Sequence, residues 1–243
     1  MSARAKRIDT LDLIRGVCII GMMFDHAMFD LAYTAGVAWA RVVAQSMIWE
    51  IIKQFGAGIF ILIAGICTNL SRDNLRRGVK VLLAAEVVTV ATSVLSSFVG
   101  YDMTIRFGIL HFMGWSMVIY AMAERYLPKW FANPFWILVF IPSYAVYKMG
   151  LLPQVEATEL YCFGLTSWRF FSADYFPLFP WIFLFIFGIW LGRYLLNKNI
   201  PQGALSLKVP VVNYIGRKPL LIYIVHQPII YGLVLLVNNL KGI

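Results

Sequence analysis

The sequence predicts an all-α polytopic membrane protein, and three observations carry that reading. Hydrophobic residues make up 60% of the 243-residue chain and charged residues 14%, against roughly 45–50% and roughly 25% in a soluble domain. About seven apolar runs can be placed, each near the ~20 residues that a bilayer core asks of a helix. They fall near 11–32, 45–70, 79–99, 107–124, 134–149, 176–196 and 218–239. The basic residues, finally, are distributed unevenly between the connecting segments. Backbone groups in lipid must pair within the segment, so the runs are read as helices. The alternating segments of about ten residues that mark a β-barrel are not visible. Because the runs consume nearly the whole chain, residues 1–243 are read as one transmembrane domain.

Counting Lys and Arg by segment orients the chain. With a cytoplasmic N-terminus, the inner segments hold Arg4, Lys6, Arg7, Arg72, Arg76, Arg77, Lys80, Arg125, Lys129, Arg193, Lys198, Lys208, Arg217 and Lys218. The outer segments hold only Arg41, Arg106, Lys148, Arg169 and Lys241. The C-terminus is then extracytoplasmic. The net charge of +9 is accounted for by orientation and by contact with membrane lipids, and nucleic acid is not an expected partner.

The first run, "LDLIRGVCIIGMMFDHAMFDLA", is the most informative. A cleaved signal peptide would have an apolar centre, whereas this run holds Asp12, Arg15, Asp25, His26 and Asp30. Each helical residue advances about 100°. With Asp12 at zero, Arg15 falls near about −60°, His26 near about −40° and Asp30 near about 0°. Four ionisable residues therefore share one narrow stripe, with Gly16 at its edge. Asp25, near about −140°, faces elsewhere. A charged residue at a span centre costs about 2.5–3.5 kcal/mol, so an organised stripe marks either structural ion pairs or a functional site.

Depth along the helices suggests which residues meet. At about 1.5 Å per residue, His26 lies roughly 21 Å above Asp12 and His111 at a similar height. Glu50, entering the second run, is expected at that level too. His226 is expected lower, roughly 12 Å above the inner surface. On this reading His26, His111 and Glu50 are level in the outer half of the membrane, and His226 sits near the midplane.

The remaining segments add candidate contacts. "FGAGIFILIAG" in the second run and "GIWLG" in the sixth carry small residues at the spacing of close helix packing. "SRDNLRRGVK" forms a short basic inner loop. It orients the chain or cradles a polyphosphate, since arginine forks match phosphate oxygens. "GRKPLLIYIVHQP" brings a second basic cluster to the same side, with Tyr223 and His226 on one face. "SWRFFSADYFPLFPW", after a long outer loop, reads either as an interfacial aromatic belt or as a substrate lid headed by Asp174. Cys18, Cys67 and Cys162 have no metal-ligand spacing, no metal is expected, and no nucleotide-binding, nucleophile-elbow or zinc-protease motif occurs.

Taken in order, "RIDTLDLIRG", "FDHAMFDL", "IFILIAGICTNLSRDNLRRG", "IRFGILHFMGWSMVIY", "DYFPLFPWIFLFIFGIWLGR" and "IGRKPLLIYIVHQPII" resemble the bacterial members of the heparan-alpha-glucosaminide N-acetyltransferase catalytic-domain family. Those proteins are transmembrane acyltransferases. The resemblance implies a chain in a bacterial cytoplasmic membrane that carries an acyl group from cytoplasmic acetyl-CoA, or another acyl-CoA, to an outer glycan, amino-sugar or lipid acceptor. It departs at one point. Where His26 aligns, the lysosomal animal enzymes of the family have asparagine, and their proposed catalytic histidine comes in a later segment that this chain lacks. His26 does not inherit that role, nor does their glucosamine acceptor carry over.

The expected site follows. Arg15, Arg72, Arg76, Arg77, Arg217 and Lys218 meet acyl-CoA. His26, oriented by Asp30, is the general base, because a neutral imidazole suits that task. His111 or His226 stabilises the oxyanion. Glu50 and Asp174 contact the acceptor. A homo-oligomer remains open. The alternative function is proton-coupled transport through the same intramembrane His and Asp residues, and a third possibility is a non-catalytic assembly partner.

Overall fold

In the computed structural model, residues 8–99, 102–128, 130–156, 159–197 and 205–240 are described. Of the basic residues counted above, Arg4, Lys6, Arg7, Lys129, Lys198 and Lys241 lie outside them. The described chain is helical: α1 (Asp9–Tyr33), α2 (Ala38–Ala44), α3 (Met47–Thr68), α4 (Asn74–Val99), α5 (Ile109–Ala123), α6 (Phe135–Lys148), α7 (Leu178–Asn197), α8 (Pro210–Arg217) and α9 (Pro219–Leu240). One isolated parallel bridge joins Phe107 and Tyr175.

Each of the seven expected runs overlaps one helix, α4 starting earlier than its run, at Asn74. Four of them, α3, α4, α7 and α9, are long and apolar enough to cross a membrane, and the protein is an integral membrane protein. Helices α5 and α6 have 15 and 14 residues, which at 1.5 Å each gives about 21–22 Å against a hydrocarbon core of about 30 Å. Helix α1 has 25 residues and is set apart by its acids and arginine rather than by length.

The chain divides into two compact units. A central unit comprises Ile61–Asn199, and a terminal unit comprises Arg7–Phe60 with Ile200–Ile243. The boundary falls within α3.

In the central unit, α4 packs on α5 and α6 on α7. The end of α3 crosses α7 where glycines face each other: a Cβ at Gly65 would meet Phe185 O, and one at Gly188 would lie 3.2 Å from Gly65 Cα. Asn69 Nδ2 donates across this crossing to Ile189 O at 3.0 Å. Gly65, at the end of "FGAGIFILIAG", and the glycines of "GIWLG" thus serve close backbone approach, whereas a Cβ at Gly56 would meet nothing within 4 Å.

In the terminal unit, α1 is the organising element, with α2, α8 and α9 packed on it. Its stripe is the face they cover: Asp12, Gly16 and Asp30 are buried. A Cβ at Gly16 would meet Val212 O, and one at Gly216 would meet Asp12 O, so α8 lies directly against the α1 backbone. Asn213 closes the junction, donating Nδ2–H to Asp9 O at 2.7 Å and accepting Val209 N–H at Oδ1, 2.7 Å.

Candidate active site

The terminal unit brings two histidines together. His26 of α1 and His226 of α9 meet edge to face, with ring centroids 4.9 Å apart and planes at 69°. This corrects the depth reading, which put His226 well below His26. The figure of roughly 12 Å placed Lys218 at the inner surface, but Gly216, two residues before it, already packs against Asp12 and Gly16 of α1. Ten residues on from Gly16 and from Gly216 each segment reaches its histidine, so the two rings meet.

The backbone settles the tautomers. His26 Nδ1 lies 2.9 Å from Met22 O, and His226 Nδ1 lies 2.7 Å from Tyr223 O and 3.2 Å from Ile222 O. A carbonyl only accepts, so each neutral ring carries its hydrogen on Nδ1 and leaves an acceptor lone pair on Nε2. His226 is 4% exposed, and its Nε2 is buried with no hydrogen-bond partner. A neutral ring held this way has no Nε2–H to offer an oxyanion, which argues against that role for His226.

One turn along the same interface, Gln227 Nε2 donates to both oxygens of Asp30, at 3.1 and 3.4 Å. Among the described residues no hydrogen bond joins Asp30 to His26. The expectation that Asp30 orients His26 is therefore corrected: Met22 O orients the ring, and Asp30 orients Gln227. The reason is spacing. In mid-helix the nearest acceptor for an imidazole Nδ1–H is a carbonyl of the preceding turn, four residues back for His26 and three for His226. With its amide nitrogen on Asp30, Gln227 turns Oε1 the other way, where it too is buried and unpartnered. Two adjacent α9 residues thus present orphaned acceptors, and leaving such groups unmet costs about 1–3 kcal/mol each. Gln227 was not anticipated. The signal for it was the His226–Gln227 pair on α9, facing His26 and Asp30 on α1.

Asp25 points away from this face, as its phase requires. Its Oδ1 accepts Trp49 Nε1–H at 2.7 Å and lies 3.5 Å from Lys53 Nζ. Lys53 also pairs with Glu50 at 2.9 Å, and Gln54 donates to Glu50 at 2.9 Å. Glu50, expected at the acceptor, is held in this α1–α3 ion network.

The inner cations fall into two groups. Arg15 bonds Asp12 at 3.1 Å and Gly216 O at 2.9 Å. Arg217 bonds Asp9 at 3.0 Å, and Lys218 Nζ bonds Tyr214 Oη at 2.9 Å. In the terminal unit Arg15 and Arg217 are thus held by carboxylates, and the partner of Lys218 is a hydroxyl. In the central unit, the side chains of Arg72 and Arg76 are exposed, while Arg77 reaches Cys67 O at 3.4 Å.

His111, in the central unit, has a different environment. Gly108 N–H donates to its Nδ1 at 3.2 Å, so the hydrogen sits on Nε2, which donates to Thr89 Oγ1 at 3.2 Å. Thr89 in turn donates to Ile105 O at 2.6 Å, and Glu86 Oε1 lies 3.7 Å from Nε2. Asp174 accepts Ile109 N–H at 2.9 Å. Expected to face a substrate, its carboxylate instead caps the first turn of α5, where a helix favours negative charge. Residues 102–108 and 171–176 zip together around it. Arg106 Nε donates to Phe171 O at 2.9 Å, Ala173 N–H to Thr104 O at 3.1 Å and Phe176 N–H to Phe107 O at 3.0 Å. Within this clasp Thr104 and Arg106 bond Asp102 and hold its carboxyl below the usual carboxylate range.

The family model described as "Heparan-alpha-glucosaminide N-acetyltransferase, catalytic" matches residues 7–228. No curated protein and no solved structure gives a significant match.

Proposed function

The chain belongs to the heparan-alpha-glucosaminide N-acetyltransferase catalytic family, a family of membrane acetyltransferases, and on that premise we propose that it moves an acetyl group from acetyl-CoA to an amino group on a sugar, glycan or lipid. The observation that carries the reading is the pair of buried, unpartnered acceptors, His226 Nε2 and Gln227 Oε1, beside the His26 ring. A primary amine has two N–H groups for two such acceptors, whereas a hydroxyl has one.

In the proposed step the amine donates one N–H to Gln227 Oε1 and the other to His226 Nε2. Its nitrogen lone pair attacks the thioester carbonyl. As the C–N bond forms, His226 Nε2 takes the proton, the C–S bond breaks and CoA leaves as the thiolate. His26, with the same tautomer and an edge-to-face contact, is the second base of the pair. General base catalysis of this kind contributes about 10²–10⁴-fold.

For the donor, the basic loop that carries Arg72, Arg76 and Arg77 is the segment we assign to the CoA phosphates, since arginine forks match phosphate oxygens. We read α1, α5 and α6 as completing a seven-pass chain with a cytoplasmic N-terminus, in line with the basic-residue count.

The test is acetyl-CoA turnover by the purified protein in detergent, followed by release of the free CoA thiol. Glucosamine and aminated lipid are offered as amine acceptors, with their hydroxyl analogues as comparison. Amine-dependent thiol release supports the proposal. Release that does not distinguish the analogues removes the amine assignment, and no release with any acceptor removes the reading.

A further inference from the structure

Helix α8 has two faces of opposite character. One is fastened to α1 through Asn213, the Gly216 carbonyl and the Gly16–Val212 approach. The other carries Val211 and Tyr214, 70% and 55% exposed. These two residues, three apart, share one face of the helix and form a short apolar stripe. Lys218, which ends the helix, is exposed beside it, and Leu207, in the non-helical segment before the helix, is exposed as well. Left to water, this stripe would expose contiguous apolar area beside a junction that already binds firmly on its other side.

The charges around it select the partner. Arg15, Lys208, Arg217 and Lys218 are four cations set against the carboxylates of Asp9 and Asp12, an excess of two positive charges. Lys218 Nζ stands 4.8 Å above the Tyr214 ring, with its stem along the apolar stripe. An aromatic ring and a lysine at one level, over aliphatic side chains, is the pattern of a helix lying at a lipid–water boundary.

We infer that α8 lies in the membrane plane, on the side where α1 and α9 begin, and binds anionic phospholipid. The acyl chains pack on Val211 and Tyr214, and the headgroup phosphate meets Lys218. The segment is then a lipid-reading collar on the first turns of α1 and α9.

The test places a photoreactive residue on the stripe, Val211→p-benzoylphenylalanine, in the whole chain reconstituted in vesicles of one part phosphatidylglycerol to three parts phosphatidylcholine. Adducts are identified by mass. The expected result is lipid adducts in which phosphatidylglycerol exceeds its mole fraction about fivefold, the preference of one lysine at an anionic surface. Adding Lys218→Gln returns the ratio toward the mole fraction. A second probe at Leu233, exposed in mid-α9, reports insertion and crosslinks lipid without headgroup preference. If the Leu233 probe labels lipid while position 211 labels none, or labels protein, the in-plane placement is overturned. Adducts at 211 in proportion to the lipid mixture overturn the anionic preference.

Discussion

His226 and His111 are the same residue in the same kind of apolar helix, each 4% exposed, yet they are prepared for opposite tasks. His226 sits mid-helix, where the carbonyls of its own preceding turn take Nδ1–H and leave Nε2 as an acceptor without a partner. His111 is the third residue of α5, where the chain still has free N–H groups. One of them, from Gly108, occupies Nδ1, and Thr89 takes the hydrogen on Nε2. A buried histidine in the first turn of a helix is spent on capping. The same residue about a turn and a half further in has its Nε2 left as an acceptor by the backbone. Position along the helix, more than burial or depth, decides which ring nitrogen is left as an acceptor without a partner.

The largest expected effect breaks or confirms this contrast directly. His226→Gln should lower kcat for acetyl transfer by about 10²–10⁴-fold with little change in unfolding midpoint, and His26→Gln should fall the same way but less. His111→Gln should keep most of its turnover. Equal loss at positions 111 and 226, with both variants stably folded, would erase the distinction. Asp30→Asn comes next. It removes the charge that fixes the Gln227 amide, so the amide can turn over and present N–H where Oε1 stood. KM for the amine acceptor should rise about tenfold, the worth of roughly one hydrogen bond, while the KM for acetyl-CoA stays put. An effect confined to acetyl-CoA would detach Gln227 from the acceptor.

Much of the arrangement was legible before any coordinates. The 100° phase of α1 put Asp12, Arg15, His26 and Asp30 on the face that α8 and α9 cover, and sent Asp25 to a separate partner. The helical runs were legible because lipid leaves the backbone no alternative. What stayed hidden had physical causes. The partners of Asp25, Trp49 and Lys53, lie across a helix pair whose rotation no single-helix phase specifies. The level of His226 depended on where the start of α9 sits along α1, which the contact of Gly216 with Asp12 and Gly16 sets. The tautomers depend on which backbone groups are unpaired, so only "FGILH", with Gly108 at the start of a helix, carried a readable hint that His111 caps. The capping contact of Asp174 was hidden because its partner, Ile109 N–H, is 65 residues away in sequence.

The smaller effects concern the capping histidine. His111→Ala strips the Gly108 cap and the link to Thr89, and should cost about 1–2 kcal/mol of stability. Detergent unfolding monitored by helix signal would register it, along with faster amide exchange in the first turn of α5. Unchanged stability would mean that the ring is idle there, and the functional reading of His111 would return.

The smallest effect tests whether the clasp that holds Gly108 is itself electrostatic. Thr104 and Arg106 hold Asp102 below the usual carboxylate range, so this group favours the folded state when ionised. Its contribution is fully present above the ordinary aspartate pKa of about 3.9. It shrinks as pH falls below that, and disappears once pH passes beneath the lowered folded value. The pair with Arg106 is half exposed, so the gain is modest. Asp102→Asn should therefore unfold slightly earlier than the parent at neutral pH, and the gap should close in acid because both chains then carry a neutral side chain at that position. A gap that stays constant down to acid pH would assign Asp102 to hydrogen bonding alone. The clasp beside His111 would then rest on its backbone pairs, and charge would have no part in holding the capping histidine.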